Sequence, residues 1–187
     1  MQSRVTYLYY IMTLDLKSLK IPEISSKVKI RNVDKNRERE NFIELFNRSF
    51  TYSKNPFIPL TLDEFDEIPA EDVFVAENKK GKLVGFIIVN IEEREEEKIG
   101  LISQIGVHPS FRKSGVAIAL AVHGGLYLKD KGIKKWICEV YSENHSAVNF
   151  IKKFGFKIEK EVVVVGSEIR NIKPFYSDIT FIERLGG

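Results

Sequence analysis

The sequence predicts one α/β domain (an α+β mixed sheet), with about seven strands in a central sheet and four helices flanking it. Three observations predict it. The run Ile99–Val107 is apolar on both faces, as a central strand is. Val116 to about Lys131 is apolar nearly all round, as a helix packed on a sheet is, and Lys134–Tyr141 then returns as a strand. Strand, helix, strand implies a right-handed crossover that lays two parallel strands side by side. Finally, Asp72–Glu77 and Leu83–Ile91 flank a Lys-Lys-Gly turn and read as a hairpin.

Composition sets the bounds. The 187 residues suit a single domain, and 43% apolar with 29% charged residues describe an ordinary globular chain. A net charge of +3 is too small to argue for nucleic acid. Cys138 is alone, which excludes a disulfide framework and a Cys-rich metal site. His108, His123 and His145 lack metal-ligand spacing, so no metal is expected. Val5–Met12 is too short to span a bilayer and has no small-residue cleavage site after it. A cytoplasmic protein that engages neither nucleic acid nor membrane is expected.

In chain order, residues 1–26 read as a loosely docked N-terminal extension, with Tyr7, Tyr9 and Tyr10 as material for an added strand or a partner surface. Met12 is a plausible alternative start. Residues 27–187 read as the domain. Lys27–Val33 alternates as a strand, and Asp34 caps a helix through about Phe50 that carries Phe42, Leu45, Phe46 and Phe50 on one face. Phe50–Leu60 is an aromatic, proline-broken loop, equally a pocket wall or packing over the core. Thr61 caps a short helix to Ile68 whose acidic first turn suits the helix dipole. Glu92–Lys98 is a charged hairpin tip. Asn144 caps a helix that Gly155 stops, Phe156–Val165 is a strand, and Ile179–Arg184 is the expected last strand.

The stretch with chemistry in it is Ser103–Ala117. It leads from the central strand through a basic, small-residue turn into the long helix. Arg-x-x-Gly-x-Ala at Arg112, Gly115 and Ala117 places a glycine that accepts positive φ just before the open amides of a helix N-terminus. Such a concavity favours phosphate, and Arg112 and Lys113 add charge beside it. It is neither a Walker A loop nor a dinucleotide fingerprint. A pyrophosphate-bearing ligand is the hypothesis these residues raise.

Two segments in order then resemble the GNAT superfamily of acetyl-CoA-dependent N-acetyltransferases. Ile105-Gly-Val-His-Pro-Ser-Phe-Arg-Lys-Ser-Gly-Val-Ala is similar to its acetyl-CoA segment. Asn144-His-Ser-Ala-Val-Asn-Phe-Ile-Lys-Lys-Phe-Gly-Phe is similar to its second, Asn-x-x-Ala-x-x-Phe/Leu-Tyr-x-x-x-Gly-Phe. The resemblance runs over about residues 72–161, is loose over 27–68 and is absent before 27. It implies a GNAT-like fold in which two parallel strands diverge at a bulge, expected at Gly106, to admit the acyl-pantetheine arm. It further implies Ile105 and Val107 as backbone partners of pantetheine. Arg112, Lys113, Ser114, Gly115, Val116 and Ala117 would cradle the pyrophosphate, and Asn144 would contact the cofactor arm while also capping its helix.

The implied reaction is attack of a primary amine (protein N-terminus, lysine or small amine) on the thioester of acetyl-CoA. Glu139 is the candidate base, and Tyr141 shares its face. Glu139 reads equally as a strand glutamate paired with a surface lysine, and His108 is a less favoured base. Ile151 stands where the family often carries an acid tyrosine, which leaves open an acyl-CoA-binding regulatory module with little turnover. The implied partners are acetyl-CoA and a peptide, protein or small-molecule amine, for a monomer or homodimer. The loop Phe50–Leu60 and the segment Ser167–Tyr176 are expected to choose the acceptor.

Overall fold

A computed structural model of the chain describes residues 5–51, 53–54 and 56–165. The expected last strand Ile179–Arg184 and the segment Ser167–Tyr176 lie outside the described residues. Among these residues the strands are β1 (Thr6–Asp15), β2 (Lys29–Asn32), β3 (Val73–Glu77), β4 (Leu83–Arg94), β5 (Glu97–Val107), β6 (Lys135–Tyr141) and β7 (Lys157–Val165). The helices are α1 (Lys35–Phe50), α2 (Leu62–Glu67), α3 (Val116–Asp130) and α4 (His145–Phe154). One mixed seven-stranded sheet results, in the order β2-β3-β4-β5-β6-β1-β7. Of these described strands only β5 and β6 run parallel, joined by the crossover through α3.

The helix ends form for local reasons. The Asp34 carboxylate accepts from the amides of Asn36 and Arg37 to start α1. Thr61 and Glu64 close a reciprocal capping box on α2. Gly155, at φ 119°, stops α4. The charge run Glu92–Lys98 is not all tip. Its ends continue β4 and β5, and only Glu95 and Glu96 turn, both with positive φ, as a two-residue hairpin loop demands.

β1 corrects the expectation of a loosely docked extension over residues 1–26. It pairs antiparallel with β6 on one side and β7 on the other. Ile11 and Met12 are fully buried on opposite faces, so the strand is apolar on both sides, as an interior strand must be.

Two apolar layers enclose the sheet. On one face α3 and α4 cover Met12, Leu14, Ile87, Trp136 and Cys138. On the other, α1 and α2 bring Phe42, Phe46 and Phe65 around Phe86 of β4. Tyr9, Ile11, Leu101, Ile137 and Val164 form a third buried group, on the face turned away from α4.

Candidate active site

β5 and β6 pair only from Ile99↔Lys135 to Ile102↔Cys138. Beyond that, β5 continues to Val107 against β4, and β6 continues to Tyr141 against β1, but they no longer pair with each other. The strands therefore splay at their C-terminal ends. A switch from parallel pairing to open facing edges at the centre of a sheet leaves room for one extended ligand chain between them.

The splay begins at a bulge. Ile88 pairs with Gln104 and Val89 with Ile102, so Ser103 is the extra residue. Its hydroxyl donates to Asn90 Oδ1, and Asn90 Nδ2 donates to Asp72 Oδ2 at 3.3 Å. The extra residue resets the alternation of β5. Ile102, Ile105 and Val107 consequently all belong to the α3/α4 side, although residues three apart on a regular strand face opposite ways. The bulge is thus not at Gly106, as the sequence suggested. Gly106 pairs in register with Phe86, and a β-carbon there would lie 2.5 Å from the Phe86 ring and 3.0 Å from Ser49 Cβ.

From Val107 the chain enters the basic turn. His108 is buried, with its Nδ1 accepting from the Ser110 amide at 3.1 Å and its ring edge-on to Phe111. Burial, then the positive charges of Lys82 and Arg48, hold it below the usual imidazole value, so it stays neutral. It caps the turn. Lys113 (φ 61°) and Gly115 (φ 81°) take the left-handed conformation that turns the chain into α3. The Ser114 hydroxyl donates to the Phe111 carbonyl. No side chain caps α3, so the amides of Val116 and Ala117 open its N-terminus. The Val116 side chain itself is buried, which leaves its backbone as the part available to a ligand.

Arg112 differs from expectation in one respect. Its Nη2 donates to the Ser49 carbonyl at 2.8 Å, anchoring the turn to the last residues of α1. The guanidinium therefore positions the turn, and the rest of its N–H groups and its charge are what remain for an anion.

Across the splay, Glu139 and Tyr141 lie half-buried on one face of β6. β1 brings two further residues to that face which sequence reasoning missed as site residues. Tyr9 stands opposite Tyr141, and Tyr7 meets the Tyr141 ring edge-on at 5.6 Å. Burial, then the nearby charge of Glu139, push the Tyr9 phenol well above its ordinary value, so it remains a proton donor. Both tyrosines were visible in the sequence; their position beside β6 was not. Immediately after β6, the Asn144 side chain accepts from the Ala147 amide at 3.2 Å and starts α4. Ile151, two turns on from Asn144, is buried in the core. Cys138 faces the helix layer, and its thiol is raised by burial, as a packed apolar residue. His123 packs on Phe74 and is held neutral by burial.

These stretches match known proteins. The profile of the acetyltransferase (GNAT) family matches residues 39–156, which include the splay, the basic turn and the Asn144 helix. An uncharacterized N-acetyltransferase of Methanocaldococcus jannaschii is 34% identical over 146 residues, covering 72% of this chain and 62% of that protein. A mycothiol acetyltransferase of Saccharomonospora viridis is 25% identical, over 75% of this chain and 50% of that protein. The chain thus spans between half and two thirds of these relatives' lengths. Among solved structures, a GCN5-related N-acetyltransferase of Sphaerobacter thermophilus superposes with a TM-score of 0.65 at 20% identity, over 86% of this chain and 51% of that one. An aminoglycoside acetyltransferase from an uncultured soil sample superposes at 0.62 and 21% identity, over 81% of this chain and 100% of its own. With the two segments in order and the splay between them, the chain belongs to the acetyltransferase (GNAT) family.

Proposed function

We propose that the protein transfers an acetyl group from acetyl-CoA to a primary amine, within one domain that takes in β1. The observation that carries the reading is the loss of β5–β6 pairing after Ile102↔Cys138, directly upstream of the left-handed turn at Gly115. A pantetheine arm is an extended chain of amides, and it fits between two strand edges that have ceased to pair. Ile105 and Val107 would bond it through their backbone. The diphosphate would lie on the amides from Ser114 to Ala117, where the helix dipole and the charges of Arg112 and Lys113 favour it. Asn144 lies at the opposite wall and would meet the arm.

In the reaction the amine nitrogen attacks the thioester carbonyl carbon, the N–C bond forms, and the C–S bond breaks to release CoA thiolate. An ammonium must first shed a proton, which Glu139 accepts directly or through water. The β5 amide near Val107 faces the developing oxyanion. Ile151 has no proton to give, so thiolate leaves as such or takes a proton from Tyr141 or solvent. The same residue supports the second reading, an acyl-CoA-binding module with little turnover.

Release of CoA thiol from acetyl-CoA, measured with a panel of peptides and small amines, separates the two. Amine-dependent release supports the transferase and names its acceptor class. Tight acetyl-CoA binding without release across the panel overturns it in favour of the binding module.

A further inference from the structure

The position of β1 obliges the chain to cross the sheet. β1 lies next to one edge, beside β7, and β2 forms the other edge, so residues 16–28 must pass over the helix layer between them. The crossing follows α3. Leu19 Cδ2 lies 3.0 Å from where a β-carbon on Gly125 would stand. Ser25 Oγ lies 2.9 Å, and the Ser26 backbone nitrogen 3.3 Å, from where one on Gly115 would stand. The strap thus climbs α3 from its later half to its N-cap Gly115 and sets two serines on the basic turn.

Three facts give the strap more than a connecting role. Among the described residues, neither serine makes a hydrogen bond, and residues 20–28 make no backbone–backbone hydrogen bond. The turn they touch begins a helix that no side chain caps. Gly115 needs to lack a side chain twice over, for its φ of 81° and for the closeness of the strap. A hydroxyl and an amide N–H without protein partners, held against Gly115 just before the open amides of a helix N-terminus, form the second half of an anion clamp.

We propose that Ser25 and Ser26 are ligands of the acetyl-CoA diphosphate, which is gripped between the strap and the first turn of α3. The proposal rests on the reading of that turn as the acetyl-CoA site. Ser25 donates its hydroxyl, Ser26 its amide, and the exposed Lys27 adds charge beside them. The strap exists because β1 is strand-paired between β6 and β7, so the architecture of the N-terminus and the grip on the cofactor are one feature.

The test is calorimetric titration of the full chain with CoA, alongside S-acetylpantetheine, which lacks the diphosphate. Ser25 is exposed, so its variants fold. Ser25→Ala is expected to weaken CoA about ten-fold while leaving S-acetylpantetheine unchanged. Ser25→Asp is expected to weaken CoA further, and Ser25→Thr to restore it. Unchanged CoA affinity in Ser25→Ala and Ser25→Asp overturns the clamp, as does tighter binding in Ser25→Ala, which would make the strap an obstruction. Gly115→Val separates the two levels. Loss of CoA there with Ser25→Ala unaffected removes the strap and keeps the turn, whereas a wild-type protein that does not bind CoA removes both.

Discussion

Tyr9 and Tyr141 stand directly opposite each other across the β1–β6 ladder, their ring centroids 5.6 Å apart. Two residues along, Ile11 stands opposite Glu139. The ladder closes with the Ser142 amide donating to the Leu8 carbonyl at 2.9 Å. The strand that carries the candidate base is therefore held in place, on the side away from the splay, by a segment from the other end of the chain.

That relationship makes stability depend on β1. Ile11 is fully buried, and Ile11→Ala is expected to cost about 2–5 kcal/mol. A chain begun at Met12 loses the ladder from Thr6 to Ile11 and is expected to unfold at lower denaturant still. Urea midpoints measure both. A midpoint unmoved by Ile11→Ala would mean that β1 does not stand inside the sheet.

The Tyr9 phenol gives the fold an alkaline limit. Burial first, then Glu139, Tyr141 and Tyr7, raise it above the ordinary value of about 10. As pH rises through about 10 the unfolded chain gives up this proton while the folded chain keeps it, so stability falls with pH. Burial raises Tyr127 and Cys138 in the same direction, so they share the sign. Tyr9→Phe is expected to make the fall between about pH 9 and about pH 11 shallower, read from urea midpoints at each pH. An unchanged slope would show that Tyr9 titrates alike folded and unfolded.

Much of this was legible and some was not, for physical reasons. Asp34, Thr61 and Asn144 announced their helices because a cap is a contact within four residues. The basic turn was legible too, since Gly115 and the first turn of α3 are consecutive. β1 was legible only as material for an added strand, the weaker of two readings, although it meets the criterion that identified β5, apolar on both faces. Its partners lie about 120 to 160 residues away in β6 and β7, and nothing local reports them. The bulge was placed at Gly106 because glycine often marks one, but register decides it, and Gly106 serves the Phe86 ring instead. The bond from Arg112 to Ser49 spans 63 residues and was equally invisible.

Glu139→Gln keeps the shape of the side chain and removes the base. The expected outcome is kcat lower by about 100-fold or more, with CoA affinity intact. The same substitution removes a charge that raises Tyr9, so the Tyr9 phenol should titrate lower in the variant, followed by tyrosinate absorbance. Unchanged kcat with a shifted Tyr9 would leave Glu139 a structural charge and pass the role of base to another group.

The bulge at Ser103 can be tested as the device that aims β5. Deleting Ser103 makes Ile102↔Val89 and Gln104↔Ile88 consecutive pairs, leaving Ile105 and Val107 on their present face but removing the extra residue that bends β5. Acetyl-CoA binding is then expected to be lost, because a β5 without its bend no longer diverges from β6 after Ile102. Ser103→Ala keeps the residue count and removes only the hydroxyl bonded to Asn90, so it is expected to cost about 1 kcal/mol of stability and leave CoA affinity near wild type. The contrast is the test, since the deletion alone could act by unfolding the sheet. Equal loss of binding in both variants would assign the effect to the hydroxyl, and normal binding in a folded deletion variant would remove the bulge from the account of the splay.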